Sequence, residues 1–108
     1  MVREIGTYRE GVELFAPELA DQYPSMRDSF STEPVEDADR LIDFILHAGI
    51  LDIGTTAEAR DVFTGEGTGI RDNLRTDGVY AWGTDLAYYI KKYNLRLPDD
   101  FVKHALAK

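Results

Sequence analysis

The chain has no cysteine. Disulfides, thiolate nucleophiles and thiolate metal sites are thereby excluded. It has no run of eighteen apolar residues, so no membrane-spanning helix is expected. The opening MVREIGTYRE contains no apolar stretch of signal-peptide length, and a cytosolic protein is the expectation. Internal repeats and low-complexity tracts are missing, and glycine and proline act as punctuation, not as a linker. Basic residues are almost lacking from residues 10 to 43, where Arg27 and Arg40 stand against ten carboxylates.

The rest of the chain is balanced at ten acids and ten bases, so the whole net charge of −8 falls in one third of the sequence. Such a field repels phosphate backbones, which disfavours nucleic-acid binding. It attracts basic partners and acts mainly on association rate and partner choice. Two readings stay open: a solubilising surface, or a docking surface for a basic protein that mimics the charge of nucleic acid. At 108 residues, with 44% hydrophobic and 30% charged side chains, the composition is that of a single globular domain.

Phe15, Leu19 and Tyr23 lie four apart and predict a helical face within residues 7 to 23, limited by Pro17 and Pro24. Residues 25 to 34 read as a connector with Phe30 as an anchor. The clearest helix is predicted over residues 36 to 49, EDADRLIDFILHAG. Ala38, Leu41, Ile42, Ile45 and Leu46 form its apolar stripe, acids occupy its first turn, and Gly49 stops it. ILDIG, ARDVF, IRDNLRTD and GVYAW follow, read as three or four antiparallel strands joined by tight hairpins. ILDIG and ARDVF are also short enough for a helical turn. Thr84 is placed as the N-cap of a helix with Leu86, Tyr89, Ile90 and Tyr93 on its buried stripe and Asn94 as its left-handed stop. Pro98, with Asp99 and Asp100, opens a last helix over Phe101, Val102, Ala105 and Leu106. Helices, then a small antiparallel sheet of three or four strands, then helices: this order predicts an α+β domain.

Residues 75 to 93 hold five aromatics. Tyr80 and Trp82 share a strand face and read as framework packed on the helix of Tyr89 and Tyr93. Tyr88 falls off the buried stripe, beside Thr84, Lys91 and Lys92. It reads either as an exposed contact residue or as a tyrosine packed against a lysine stem.

Signals for chemistry are weak. The run Gly65-Glu66-Gly67-Thr68-Gly69 lacks the lysine and the helix that a phosphate loop needs, and it reads as a hairpin or loop. Asp43–His47 and Asp100–His104 sit at i, i+4. A carboxylate can orient an imidazole for acid–base work, but no nucleophile motif or HExxH spacing accompanies either, and a helix-surface pair is the plainer reading. The calcium-loop spacing is missing. No catalytic, cofactor-binding or metal-binding residue is assigned, and an enzyme is not expected.

Four short patterns follow one another: D-V-x-T-G-E at Asp61 to Glu66, T-D-G-hydrophobic-x-x-W at Thr76 to Trp82, D-L-x-Y-Y at Asp85 to Tyr89, and L-P-x-x-F at Leu97 to Phe101. Together they make residues 61 to 106 resemble small bacterial proteins found beside polymorphic or contact-dependent toxins, where they serve as immunity proteins. Gly83 departs from the pattern, in which a bulkier residue is expected. The shared residues look structural. The resemblance implies a cytosolic inhibitor that blocks the basic active cleft of a cognate toxin domain, a nuclease above all, with partner choice on variable surfaces. Combined with the charge pattern, it makes Glu33, Glu36, Asp37, Asp39 and Asp43 the expected partner contacts, with Tyr88 as an aromatic anchor. The other reading is an interaction module without a toxin, binding a protein or peptide at its sheet edge.

Overall fold

Apolar spacing builds helices here wherever proline and glycine leave it uninterrupted. The computed structural model describes residues 2–107. Its elements are β1 (Arg3–Ile5), α1 (Arg9–Val12), two 3-10 turns (Pro17–Gln22 and Met26–Ser29), α2 (Ala38–His47), β2 (Ile50–Ile53), β3 (Glu58–Arg60), β4 (Gly67–Arg71), β5 (Leu74–Thr76), β6 (Tyr80–Gly83), α3 (Leu86–Tyr93) and α4 (Asp99–Leu106). The α+β class is as expected.

The main sheet has four strands in the order β1-β6-β5-β2, and β3 and β4 form a separate two-stranded hairpin. The main sheet is mixed. β5 pairs antiparallel with both β6 and β2, but β1 runs parallel to β6, with Arg3 opposite Tyr80 and Ile5 opposite Trp82. A three-residue strand of sequence REI carries no period to read, so β1 was not legible. The stretch IRDNLRTD is two strands, not one. The break falls at Asp72 and Asn73, where the Asn73 carbonyl takes the Thr84 N–H and its side-chain oxygen takes the Thr55 N–H.

The core lies between the sheet and the three long helices. Trp82, Tyr89, Phe101, Leu41, Ile45, Ile90 and Leu95 are its most enclosed large residues. Trp82 donates its Nε1–H to the Ile45 carbonyl at 2.8 Å. The aromatic partners of the Tyr80/Trp82 face are Phe44 and Phe101, on α2 and α4, rather than the tyrosines of α3. Such edge and tilted contacts at 5.2–5.7 Å are the arrangement that ring quadrupoles favour.

The helix starting at Ala38 begins two residues later than its pattern implied. Asp37 sits before it at φ +55°, a left-handed conformation that aspartate tolerates better than most residues. At the other end Gly49, φ +65°, makes the stop, and a Cβ there would lie 2.1 Å from the Thr76 carbonyl oxygen. Arg75 completes that end. It donates from Nε to the Ala48 carbonyl at 2.9 Å and from Nη2 to the His47 carbonyl at 3.1 Å, satisfying carbonyls that the last turn leaves open.

The helix expected over residues 7 to 23 is not formed as one piece. After Val12 the chain tightens, with Phe15 N–H donating to the Val12 carbonyl, and it restarts as a 3-10 turn at Pro17. Proline cannot continue the α-helical ladder, so the four-residue spacing does not lie on one face. Leu14 (77% exposed), Phe15 (79%) and Leu19 (42%) face solvent.

Candidate functional site

All five carboxylates expected as partner contacts, Glu33, Glu36, Asp37, Asp39 and Asp43, are exposed. The structure brings two of them together. Asp39 and Asp43, one turn apart on α2, line a groove of about 510 Å³ between α2 and α4, with Phe44, Ala48, Ala105 and Leu106 as its apolar part. Glu36 and Asp37 stand in the turn before α2. Glu33 lies further along that approach, on a segment fastened to the α3–α4 connection through Ser31 N–H to the Asn94 carbonyl and Arg96 Nη2 to Ser31 Oγ.

The groove also holds Arg40 and His47, and both are engaged. Arg40 donates from Nη2 to the Leu106 carbonyl at 2.9 Å, which ties α2 to the end of α4. His47 Nδ1 lies 3.1 Å from Asp43 Oδ1, the helix-surface pair read from the sequence. Asp39 makes no side-chain hydrogen bond among the described residues. Of the acids earlier in the chain, Glu10 is turned inward. It takes the Ser25 hydroxyl at 2.6 Å and the Met26 N–H at 2.8 Å. Burial alone would raise its carboxyl, and these two bonds instead hold it below the usual range.

Tyr88 is not in this groove and is not an exposed side chain. It is half-buried, it lines a smaller depression with Ile70 and Lys92, and its hydroxyl donates to Asp61 Oδ2 at 2.8 Å. Lys92 Nζ sits 2.9 Å from that hydroxyl and over the ring, so the tyrosine–lysine packing reading is the one found. Asp61, 1% exposed, is the centre of this region. Its Oδ1 takes the Phe63 and Thr64 N–H groups and its Oδ2 takes Tyr88 and Tyr93. Burial pushes Asp61 up, but the Tyr93, Phe63, Tyr88 and Thr64 donors outweigh it and hold the carboxyl at about 2. Tyr93 is half-buried, and its desolvation and the Asp61 carboxylate beside it push its hydroxyl up to about 12. Tyr89 reaches the same turn, taking the Val62 N–H at 3.0 Å.

Two of the sequence patterns are thus fastened to each other. The D-V-x-T-G-E turn is clamped by the D-L-x-Y-Y tyrosines, 27 positions later for Tyr88 and Tyr89. The T-D-G turn is held likewise: Asp77 Oδ1 takes the Val79 and Tyr80 N–H groups, and Thr76 Oγ1 donates to the Tyr80 carbonyl. Leu97 and Phe101 of the last pattern are buried.

Two local pairings expected from spacing are replaced by tertiary ones. His104 does not meet Asp100; its Nε2 lies 2.6 Å from Asp77 Oδ2. Asp100 instead takes the Tyr80 hydroxyl and an ion pair from Arg3 of β1. Thr84 does not cap α3. It is buried, and its hydroxyl donates to the Arg71 carbonyl at 2.9 Å, tying α3 to the end of β4. Among the described residues no helix is long and apolar enough to cross a membrane, and no three His, Asp or Glu side chains are grouped as a metal site needs. No family model, no curated protein and no solved structure matches this chain.

Proposed function

We propose that this chain is an immunity protein. It binds a toxin domain with a basic active cleft, a nuclease above all, and blocks substrate access without chemistry of its own. The observation that carries the reading is the α2–α4 groove: Asp39 and Asp43 line it above the apolar surface of Phe44, Ala48 and Leu106. Helix α2 is held from behind by Leu41 and Ile45, both fully enclosed. A lysine or arginine of the partner finds an apolar bed for its stem and carboxylates for its head. The net charge of −8 supplies long-range attraction to such a cleft. Glu33, Glu36 and Asp37 extend the acidic approach at the N-terminal end of α2. Tyr88 is a weaker contact candidate than its sequence position implied, because Asp61 and Lys92 occupy its hydroxyl.

The test is co-expression with the product of the adjacent reading frame, scored by relief of that product's toxicity and by co-purification. Stopped-flow association then examines the mechanism. Asp39→Lys with Asp43→Lys is expected to slow association about tenfold or more at low salt, and the wild-type on-rate is expected to fall as ionic strength rises. An on-rate indifferent to both would sink the steering idea.

A second reading has its own observation. β2 is an edge strand with Ile50, Leu51 and Ile53 all exposed, a surface suited to strand addition by a peptide. The register shift between Leu51 and Ile53 works against it, since a bulge disturbs the strand that a peptide would extend. Backbone amide protection of β2 on adding the partner, with α2 unchanged, would favour this module over the immunity protein.

A further inference from the structure

Helices α2 and α4 pack on the sheet face that carries Tyr80 and Trp82. Register places Glu4, Ala81, Thr76 and Ile50 in one row across the other face, and Gly83, Leu74 and Ile53 in the next. Glu4, Ile50 and Ile53 are exposed there, Thr76, Leu74 and Gly83 half-buried, and Ala81 buried. α1 covers only the β1–β6 side, where Tyr8 and Val12 are buried. Between α1 and the sheet lies a cleft of about 310 Å³. Val12 and Phe15 wall one side, Leu74 and Ala81 the other, and Glu4 and Asp72 stand at its rim. None of its lining residues is basic. Phe15 projects from the wall at 79% exposure, with Leu14 beside it at 77%. The arm that carries them also exposes Glu13, Glu18 and Asp21. Arg3, the base nearest in sequence to Glu4, points to the opposite face, where it pairs with Asp100.

We propose that this cleft is a second docking surface, separate from the α2–α4 groove, which takes an apolar side chain of a protein partner that carries a lysine or arginine beside it. The apolar walls define the side chain, and the carboxylates at the rim define its neighbour. A cleft of this size is at the lower end of ligand pockets, enough for one or two large side chains. Two lone aromatic and aliphatic residues held in water, Phe15 and Leu14, are what a partner covers with most gain. A second copy of this chain would oppose the same carboxylates to Glu4 and Asp72, and like charges so placed disfavour association. An anionic lipid surface is disfavoured for the same reason. The acid cluster also extends behind Gly83. Burial pushes the Asp85 carboxyl up to about 6, and the Asp72 charge adds to this, so a cation arriving at the rim relieves a repulsion already in place.

The probe is a pair of helical peptides, each with Phe and Leu at i and i+4, one with lysines and one with glutamates at the intervening positions. Each is titrated into the isotope-labelled protein. The lysine peptide is expected to shift the amides of Val12, Phe15, Leu74, Ala81 and Gly83 together, and the glutamate peptide to leave them still. Phe15→Ala should weaken the lysine peptide about fivefold or more with an unchanged melting temperature, since the ring is largely in water. Glu4→Gln with Asp72→Asn should flatten its salt dependence. Shifts centred on α2 and α4, shifts spread over the acidic surface, equal binding of the two peptides, or no shift at millimolar peptide would each overturn the proposal. Peptide-free, concentration-dependent shifts at the cleft would overturn it in favour of self-association.

Discussion

Asp61 has the most consequence of any single side chain here. Four donors meet its buried carboxylate, so removing it leaves two N–H groups and two hydroxyls without their partner. Asp61→Ala is expected to destabilise the fold by about 2–4 kcal/mol, measured by chemical denaturation. Its low pKa sets a pH window. The folded carboxyl titrates near 2 and the unfolded one near 3.8, so the stabilisation is complete above about pH 4 and is lost as pH falls toward 2, by about 2 kcal/mol in all. Asp85 has the opposite sign. Its folded carboxyl titrates at about 6 against 3.8, so holding it ionised costs stability above about pH 6 and costs nothing below about pH 4. Asp85→Asn is therefore expected to raise the unfolding free energy at pH 7.5 by about 1–2 kcal/mol, measured by chemical denaturation, with the gain vanishing at pH 4. Gly83 belongs with it: a Cβ at that position would meet Asp85 Oδ1 at 2.8 Å, so a larger residue there requires that side chain to shift. None of this was legible residue by residue. The D-V-x-T-G-E and D-L-x-Y-Y patterns marked these positions as structural, but that Tyr88 and Tyr93 reach back to one carboxylate is a tertiary fact that spacing does not carry. The same limit misplaced His104, where local i, i+4 geometry favoured Asp100 and the fold offered Asp77.

At the scale of elements, the junction from α2 to β2 is the tightest point. Gly49 combines positive φ with a backbone oxygen 2.1 Å from any added Cβ. Gly49→Ala should cost more than about 2 kcal/mol, because neither the dihedral nor a neighbouring backbone atom can relax cheaply. Arg75→Ala should cost about 1–2 kcal/mol by uncapping the same helix end. The single tryptophan, Trp82, is fully enclosed and bonded to the Ile45 carbonyl, so its emission reports directly on α2 leaving the sheet in either variant. Helices α2, α3 and α4 were legible because each carries its own apolar stripe and a boundary signal, a stop for α2 and α3 and the Pro98 start for α4. The glycine stop of α2 and the left-handed Asn94 after α3, at φ +56°, stand where the pattern put them. The N-terminal arm was not legible for the converse reason. Its spacing imitates a stripe, but Pro17 breaks the ladder that would have made the spacing meaningful. Of the candidate site, the helical period placed Asp39 and Asp43 on one face of α2, and the charge pattern with the resemblance singled them out, whereas the cleft under Phe15 needed β1, a strand too short to announce itself.

Seen whole, the molecule divides its polar residues by task. Acids that brace turns, Asp61, Asp77 and Glu10, are turned inward and hydrogen-bonded, while those on and before α2 stand in water. Surface acids of the second kind contribute little to folding. Neutralising Glu33, Glu36, Asp37, Asp39 and Asp43 together is accordingly expected to leave the melting temperature within a few degrees, or to raise it by easing self-repulsion, while abolishing capture of a basic partner. A large fall in stability would instead make that face part of the scaffold.

The pairing of β1 with β6 adds a constraint of another kind. Arg3 lies against Tyr80 and is tied on to Asp100, so during synthesis the earliest strand has nothing to join until most of the remaining chain has been made. Hydrophobic Leu14 and Phe15 stay in water throughout that wait, and still do so afterwards. A chain built this way completes itself only late and as a unit. Slow, single-phase refolding limited by that one distant pairing is the kinetic signature it should leave.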